Sequence, residues 1–277
     1  TANLTLEPLG AIYFPHIASN SVWATEVGII NPSATETVTG TLRPFGDSGT
    51  AVSSALPVTL APHGRRQITI SQGFTNPDTI GSLLFESDSS SVKGYTKFYR
   101  SGLYRAAIPA AAKLNSGDIF LTHVTSDPSW WTGVSVLNTT SQAKQVSFEF
   151  NDGTTITRSL AANEHQKFLV SALFNGQTPA GIASAVIKNA SGVIGLELFS
   201  SANQLEGIPL TDDTASTLYY PYVPTDPSWW AGMVAYNPSA TACLLTITGY
   251  LASGTEEAPV TRTLNGTQKL SALTGAL

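Results

Sequence analysis

Three stretches of this chain align without a gap. Residues 14–33 read FPHIASNSVWATEVGIINPS, residues 121–140 read LTHVTSDPSWWTGVSVLNTT, and residues 220–239 read YPYVPTDPSWWAGMVAYNPS. The copies begin 107 and 99 residues apart, so the period is that of a whole small domain and not of a short solenoid repeat. Such a period restricts the chain to tandem copies of one folding pattern. A residue that recurs in all copies is required by that pattern, and a residue present in one copy is not.

The pattern is one of strands. Val146, Phe148 and Phe150 alternate with polar residues, as do Leu245, Ile247, Gly249 and Leu251; this places one face on a core and the other in water. Gly46-Asp47-Ser48-Gly49, Asn151-Asp152-Gly153 and Ala252-Ser253-Gly254 follow as turns, supplying the positive φ that a tight hairpin needs. A second strand comes next (58–60, 156–160 and 260–264), and a third starts at Ile68, Phe168 and Leu270. Copies one and two then add a hairpin, 82–86 with 92–98 and 183–188 with 193–199. The stretch 105–113 has room for a turn of helix that Pro109 interrupts. About seven short strands per copy predict an all-β chain of three tandem antiparallel β-sandwich, immunoglobulin-like units. The expected domains are 1–112, with an N-terminal strand, 113–212, and an incomplete 213–277 that stops before its hairpin.

Charged residues are 12% of the chain, the net charge is -5 and the pI is near 5.3. That balance argues against nucleic acid and anionic membranes as partners. No run reaches the roughly 18 apolar residues of a transmembrane helix. Cys243 is the sole cysteine, so no disulfide forms within the chain.

The distinctive segments are Asp127-Pro128-Ser129-Trp130-Trp131 and Asp226-Pro227-Ser228-Trp229-Trp230. Adjacent strand residues point to opposite faces. Trp23, Trp130 and Trp229, which share one position, are therefore expected in the core. Trp131 and Trp230 become the candidate interface or ligand residues, for a neighbouring unit, another protein or a glycan. Asn31, Asn138 and Asn237 end the strongest strand of each copy, where an Asn side chain bonds its own backbone.

Catalytic motifs are weak. Gly46-Asp47-Ser48-Gly49 resembles the loop of a serine nucleophile, but copy two carries no serine there, and the reading is a hairpin turn. His16 and His123 are equivalent and Tyr222 replaces them in copy three, so that position asks for a ring with a polar tip rather than a base. His63 and His165 are expected to be solvated in polar turns. No zinc-like spacing, dense calcium loop or recurring carboxylate pair is present. No cofactor, metal or catalytic residue is assigned.

Trp130-Trp131-Thr132-Gly133, followed by a strand ending at Asn138, resembles tandem β-sandwich repeats of exported bacterial proteins. The resemblance implies an extracellular or cell-surface location and an immunoglobulin-like architecture. Copy one departs from it at Ala24 and Glu26. The sequence leads to the expectation of a non-catalytic structural protein that self-associates or binds a neighbouring extracellular protein, as a subunit of a surface filament or layer. The incomplete third copy would be completed by strand complementation, with Leu4 and Leu6 of an alternating N-terminal segment as the donor. A carbohydrate-binding or adhesion module using exposed tryptophans is the alternative.

Overall fold

The computed structural model describes residues 9–100, 104–201, 204–224 and 231–276. Leu4, Leu6, Trp229 and Trp230 lie outside the described residues. The chain is all-β, and every ladder is antiparallel. The first eight strands are β1 (Gly10–Phe14), β2 (Trp23–Ile30), β3 (Val38–Phe45), β4 (Leu56–Leu60), β5 (Arg65–Thr69), β6 (Ser82–Ser87), β7 (Lys93–Arg100) and β8 (Tyr104–Pro109). They form two four-stranded sheets of order β1-β6-β3-β4 and β5-β2-β7-β8. The next eight are β9 (Ile119–Leu121), β10 (Trp131–Asn138), β11 (Lys144–Phe150), β12 (Thr155–Leu160), β13 (His165–Leu169), β14 (Ala185–Lys188), β15 (Val193–Ser201) and β16 (Gln204–Leu210). Their two sheets have the same order read in chain sequence, β9-β14-β11-β12 and β13-β10-β15-β16. The last four strands, β17 (Gly232–Tyr236), β18 (Cys243–Ile247), β19 (Val260–Leu264) and β20 (Lys269–Leu273), make two separate two-stranded ladders, β17-β20 and β18-β19.

Each four-stranded pair closes on its own core. In the first, Phe14, Phe85 and Leu42 meet Val27 and Ile29 from the facing sheet. In the second, Phe148, Ile187 and Leu121 meet Val134 and Val136. The alternation of β11 decides which side is buried: Val146, Phe148 and Phe150 are at most 3% exposed, while Gln145 before them and Glu149 among them face water. Burying each such phenylalanine stabilises the sheet pair by roughly 2–3 kcal/mol.

Two sequence expectations change here. Residues 82–87 and 93–100 do not form a hairpin: β6 pairs with β1 and β3 in one sheet, and β7 pairs with β2 and β8 in the other. The same crossing separates β14 from β15. The polar turn between such strands passes from one sheet to the facing one, and alternation alone cannot tell this from a hairpin. The start of the stretch 105–113, expected to have room for a helical turn, is instead part of strand β8 (Tyr104–Pro109), held by its six-residue ladder to β7 rather than by local propensity.

The recurring asparagines fasten the strand ends. Asn31 Nδ2 donates to the carbonyls of Glu36 at 2.7 Å, Leu60 at 3.2 Å and Ala61 at 3.1 Å, and its Oδ1 accepts from Ser33 N at 3.0 Å. Asn138 repeats this with Gln142 O, Ala161 O and Thr140 N. Asn237 repeats it with Thr241 O, Leu264 O, Asn265 O and Ser239 N. All three are buried. One amide thereby supplies partners to carbonyls of two loops that would otherwise be buried unsatisfied.

The C-terminal ladders are open by comparison. Among the described residues, nine of the thirteen exposed large hydrophobic side chains fall within residues 213–277, including Leu218, Tyr219, Tyr222, Leu244 and Leu251. Residues 218–220 align with the ends of β1 and β9 but lie outside any strand. β1 and β9 each pair with a central strand, β6 or β14, and no equivalent of that strand stands beside β18 among the described residues. No described helix is long and apolar enough to cross a membrane.

Candidate functional site

The two complete sheet pairs meet through a third apolar cluster. Phe98 of β7 with Ala106 and Ile108 of β8 pack against Leu196 and Leu198 of β15 and Leu205 of β16, with Trp23 and Trp131 at the margin. Phe98, Thr25 and Trp23 lie on the same face of their sheet as the core residues Val27 and Ile29, because Phe98 pairs with Thr25 and Thr96 with Val27. Leu196 and Leu198 lie on the outer face of theirs, opposite Ser135 and Gly133. The inner face of one sheet thus extends past its own partner and is finished by the outer face of the next. Beside this contact is a cleft of about 560 Å³ whose lining includes Trp23, Trp131, Arg100, His16, Ser135 and Lys167.

The tryptophans sit differently from the sequence expectation. Trp23 and Trp130 are half-buried and belong to neither sheet-pair core. Their position is at the entrance of β2 and β10, beyond the reach of the facing sheet, so burial there depends on the next part of the chain. Trp131 meets Trp23 edge to face, with centroids 6.4 Å apart, while Trp130 lies 6.5 Å from Phe199. Arg100 sits over the Trp23 ring at 5.8 Å.

A polar chain crosses the floor of the junction. Ser135 Oγ, from the middle of β10, lies 2.9 Å from His165 Nε2 and 3.1 Å from the Pro15 carbonyl. His165 Nδ1 lies 2.7 Å from Asp47 Oδ1, and Lys167 Nζ is 2.7 Å from Asp47 Oδ2. His16 Nδ1 is 3.3 Å from His165 Nε2. His165 is 1% exposed, contrary to its expected place in a solvated turn: β13 begins three residues earlier than Phe168 and carries His165 under the first sheet pair. His63 is exposed, as a turn residue with φ of 56°. Gly81 is what lets Asp47 reach His165, since a Cβ there would stand 2.7 Å from His165 Nδ1 and against Asp47 Oδ1. The bond from His165, followed by that from Lys167, holds the Asp47 carboxyl well below the usual carboxylate range. Burial, then the neighbouring His165 and Lys167, pushes His16 well below an ordinary histidine, so it is neutral.

The chain matches no protein-family model, no curated protein and no solved structure. Its chemistry therefore has to be read from the site itself. Ser135, His165 and Asp47 have the separations of a nucleophile, base and orienting acid. However, a nucleophile also needs donors aimed at the developing oxyanion, and the strand of Ser135 is laddered on both sides, to β13 and β15. The Ser135 hydroxyl has the Pro15 carbonyl as a second partner. The arrangement ties Pro15 and Asp47 of the first sheet pair to Ser135, His165 and Lys167 of the second.

A related contact recurs further on. His123, equivalent to His16, has Nδ1 3.2 Å from Lys269 Nζ, which also donates to Ala183 O at 2.5 Å. Lys269 begins β20 as His165 begins β13. Glu197, fully buried behind it, accepts from His123 N at 3.2 Å and Thr122 Oγ1 at 3.3 Å. Burial pushes the Glu197 carboxyl up to about 8 and Lys269 down to about 8. Burial and then Lys269 bring His123 down to about 4. Sequence reading assigned no role to Ser135, His165, Glu197 or Lys269 because none recurs in type; only their strand positions do. Asp127, at the start of the Asp-Pro-Ser-Trp-Trp segment, is exposed and accepts from Ser129 N at 2.7 Å in a local turn. No group of three His, Cys, Asp or Glu side chains suited to a metal ion occurs among the described residues.

Proposed function

We propose that this chain is a non-catalytic extracellular structural protein of an exported bacterial type, built of three tandem immunoglobulin-like units at 1–112, 113–212 and 213–277. It acts as a subunit of a surface filament or layer and associates with further copies of itself. The observation that carries this reading is the concentration of exposed apolar side chains in the C-terminal third repeat, on the segment 218–223 before β17 and around the β18-β19 turn. Patches of that kind on a β protein, next to open strand edges, are association surfaces. The apolar junction between the first two units supports the reading, because it makes a stiff element. Electron microscopy and sedimentation of the purified chain at native concentration test it: polymers or ordered arrays are expected, and monodisperse particles at every concentration overturn it.

The second reading, a glycan-binding or adhesive module, is favoured by the cleft that presents Trp23 and Trp131 beside Arg100. Aromatic walls with a few convergent polar groups suit a sugar ring. Titration with polysaccharides, followed by tryptophan fluorescence, tests it; a spectrum unmoved at saturating polysaccharide excludes it.

A further inference from the structure

The run Thr157-Arg158-Ser159-Leu160 is nearly repeated as Thr261-Arg262-Thr263-Leu264, and neither reading above uses it. The equivalent residues of the first sheet pair follow from the Ala61 and Ala161 carbonyls, which Asn31 and Asn138 hold alike. Counted back from these, Arg158 takes the place of Val58, and Thr157 that of Pro57. Phe168, opposite Val134, takes the place of Ile68, opposite Val27. The first sheet pair closes this side with Val58 and Ile68, 4% and 5% exposed. The fold therefore needs no charge there. The second puts a guanidinium in that place, over the Phe168 ring at 4.1 Å from its centroid. Beside it is a pocket of about 390 Å³ walled by Ile156, Gln166, Ala172 and Leu173.

The donors of Arg158 are largely unpaired. Nη1 donates to Gln166 Oε1 at a long 3.4 Å. Nε has no acceptor and is closed from solvent. No carboxylate pairs with this side chain among the described residues. On a guanidinium, Nε and Nη2 lie side by side as a fork that matches the two oxygens of one carboxylate. Ser159 turns its carbonyl to Gln166 Nε2 at 2.8 Å, so alternation turns the Thr157 N–H to the same edge of β12. The first sheet pair has Pro57 at that position, which carries no N–H. Arg262 lacks this setting: it is exposed, it donates to the Thr261 carbonyl at 2.9 Å, and Ala272, opposite Met233, stands where Phe168 does.

We infer that this pocket binds a carboxylate carried by a small aliphatic molecule or by a single sugar residue. The Arg158 fork takes the two oxygens, the guanidinium turning over the Phe168 ring to present Nε. The Thr157 N–H adds a donor, and Ile156 and Leu173 receive the apolar part. A pocket of this volume admits a group of that size.

The test uses the full chain, with hexanoate and glucuronate as probes, titrated by calorimetry and by the NMR shift of the Arg158 Nε–H. We expect that resonance to move with at least one probe. Arg158→Met keeps a stem on Phe168 and removes the fork, and should weaken binding roughly tenfold or more. Arg158→Lys, which keeps the charge without the fork, should fall between. Thr157→Pro, copying the first sheet pair at a free strand edge, should weaken binding several-fold, and Arg262→Met should leave it unchanged. Tighter binding of hexanoate assigns an aliphatic carboxylate, and tighter binding of glucuronate an acidic sugar. An Arg158 resonance unmoved by both probes, equal binding to Arg158→Met and the unaltered chain, or sulfate binding as tightly as either carboxylate overturns the site.

Discussion

The two junctions of this molecule use the same strand positions for opposite electrostatic ends. At the first, His165 on β13 is fully enclosed and every polar group on the floor has a partner, with the charge displaced to Asp47 and Lys167 at the rim. At the second, Lys269 occupies the equivalent strand start and Glu197 lies wholly buried behind it. Among the described residues, a four-stranded sheet covers the first junction and the two-stranded ladder β17-β20 stands at the second. Coverage, rather than residue type, separates an interface that behaves as core from one that keeps apolar surface in water.

The largest effect that bears on this comparison is expected from truncating the covered ring. Phe98→Ala should destabilise the first junction by roughly 3–5 kcal/mol, as for a fully buried phenylalanine. Phe199→Ala, half-exposed, should cost about 1–2 kcal/mol. Urea unfolding followed by tryptophan fluorescence reads both, and equal losses would remove the distinction drawn here. Next are the strand fasteners. Asn138→Ala strands at least two buried carbonyls and should cost about 2–3 kcal/mol, while Asn237→Ala, in the more open ladders, should cost about 1 kcal/mol. The same unfolding curves, with the C-terminal transition resolved from the other, check this order.

The pH responses should also diverge. His16 binds its proton less readily folded than unfolded, so the first junction is at full strength above the ordinary histidine value of 6.5 and weakens as pH falls below it. Glu197 binds its proton more tightly folded, at about 8 against 4.5, so its contribution is complete below 4.5 and is lost as pH rises to 8. Lys269, brought from 10.5 to about 8, has its contribution complete above 10.5 and loses it as pH falls through 8. The second junction is therefore weakest near pH 8, and between 6.5 and 8 it should soften while the first does not. Glu197→Gln should flatten that interval; thermal unfolding at the two pH values measures it. The smallest change is expected from Ser135→Ala, about 1 kcal/mol or less, because His165 keeps both Asp47 and His16.

Much of the frame could be read before any coordinates. The gapless repeat, the alternation of Val146, Phe148 and Phe150, and the turn at 151–153 lead directly to antiparallel strands, and the asparagine at each strand end has a local reason that needs no tertiary knowledge. The site was largely illegible. Asp47 sits in a motif that invited a serine-centred reading, yet it is the aspartate that reaches another unit, 118 residues away in sequence at His165. Opposite-facing neighbours and a shared repeat position lead to the expectation of Trp23 and Trp130 in a core; their positions lie past the edge of the facing sheet.

What the sequence determined by itself was the local pattern: which segments are strands, which side of each is apolar, and where each is tied at its end. These follow from period-two alternation and from short-range hydrogen bonding. Which strands share a sheet, that β6 and β7 part company, and that an inner face is completed by the next unit's outer face were decided only by tertiary structure. The reason is physical: pairing partners and burial depend on which surfaces come within reach, and the energy that selects among them comes from contacts between residues a hundred positions apart.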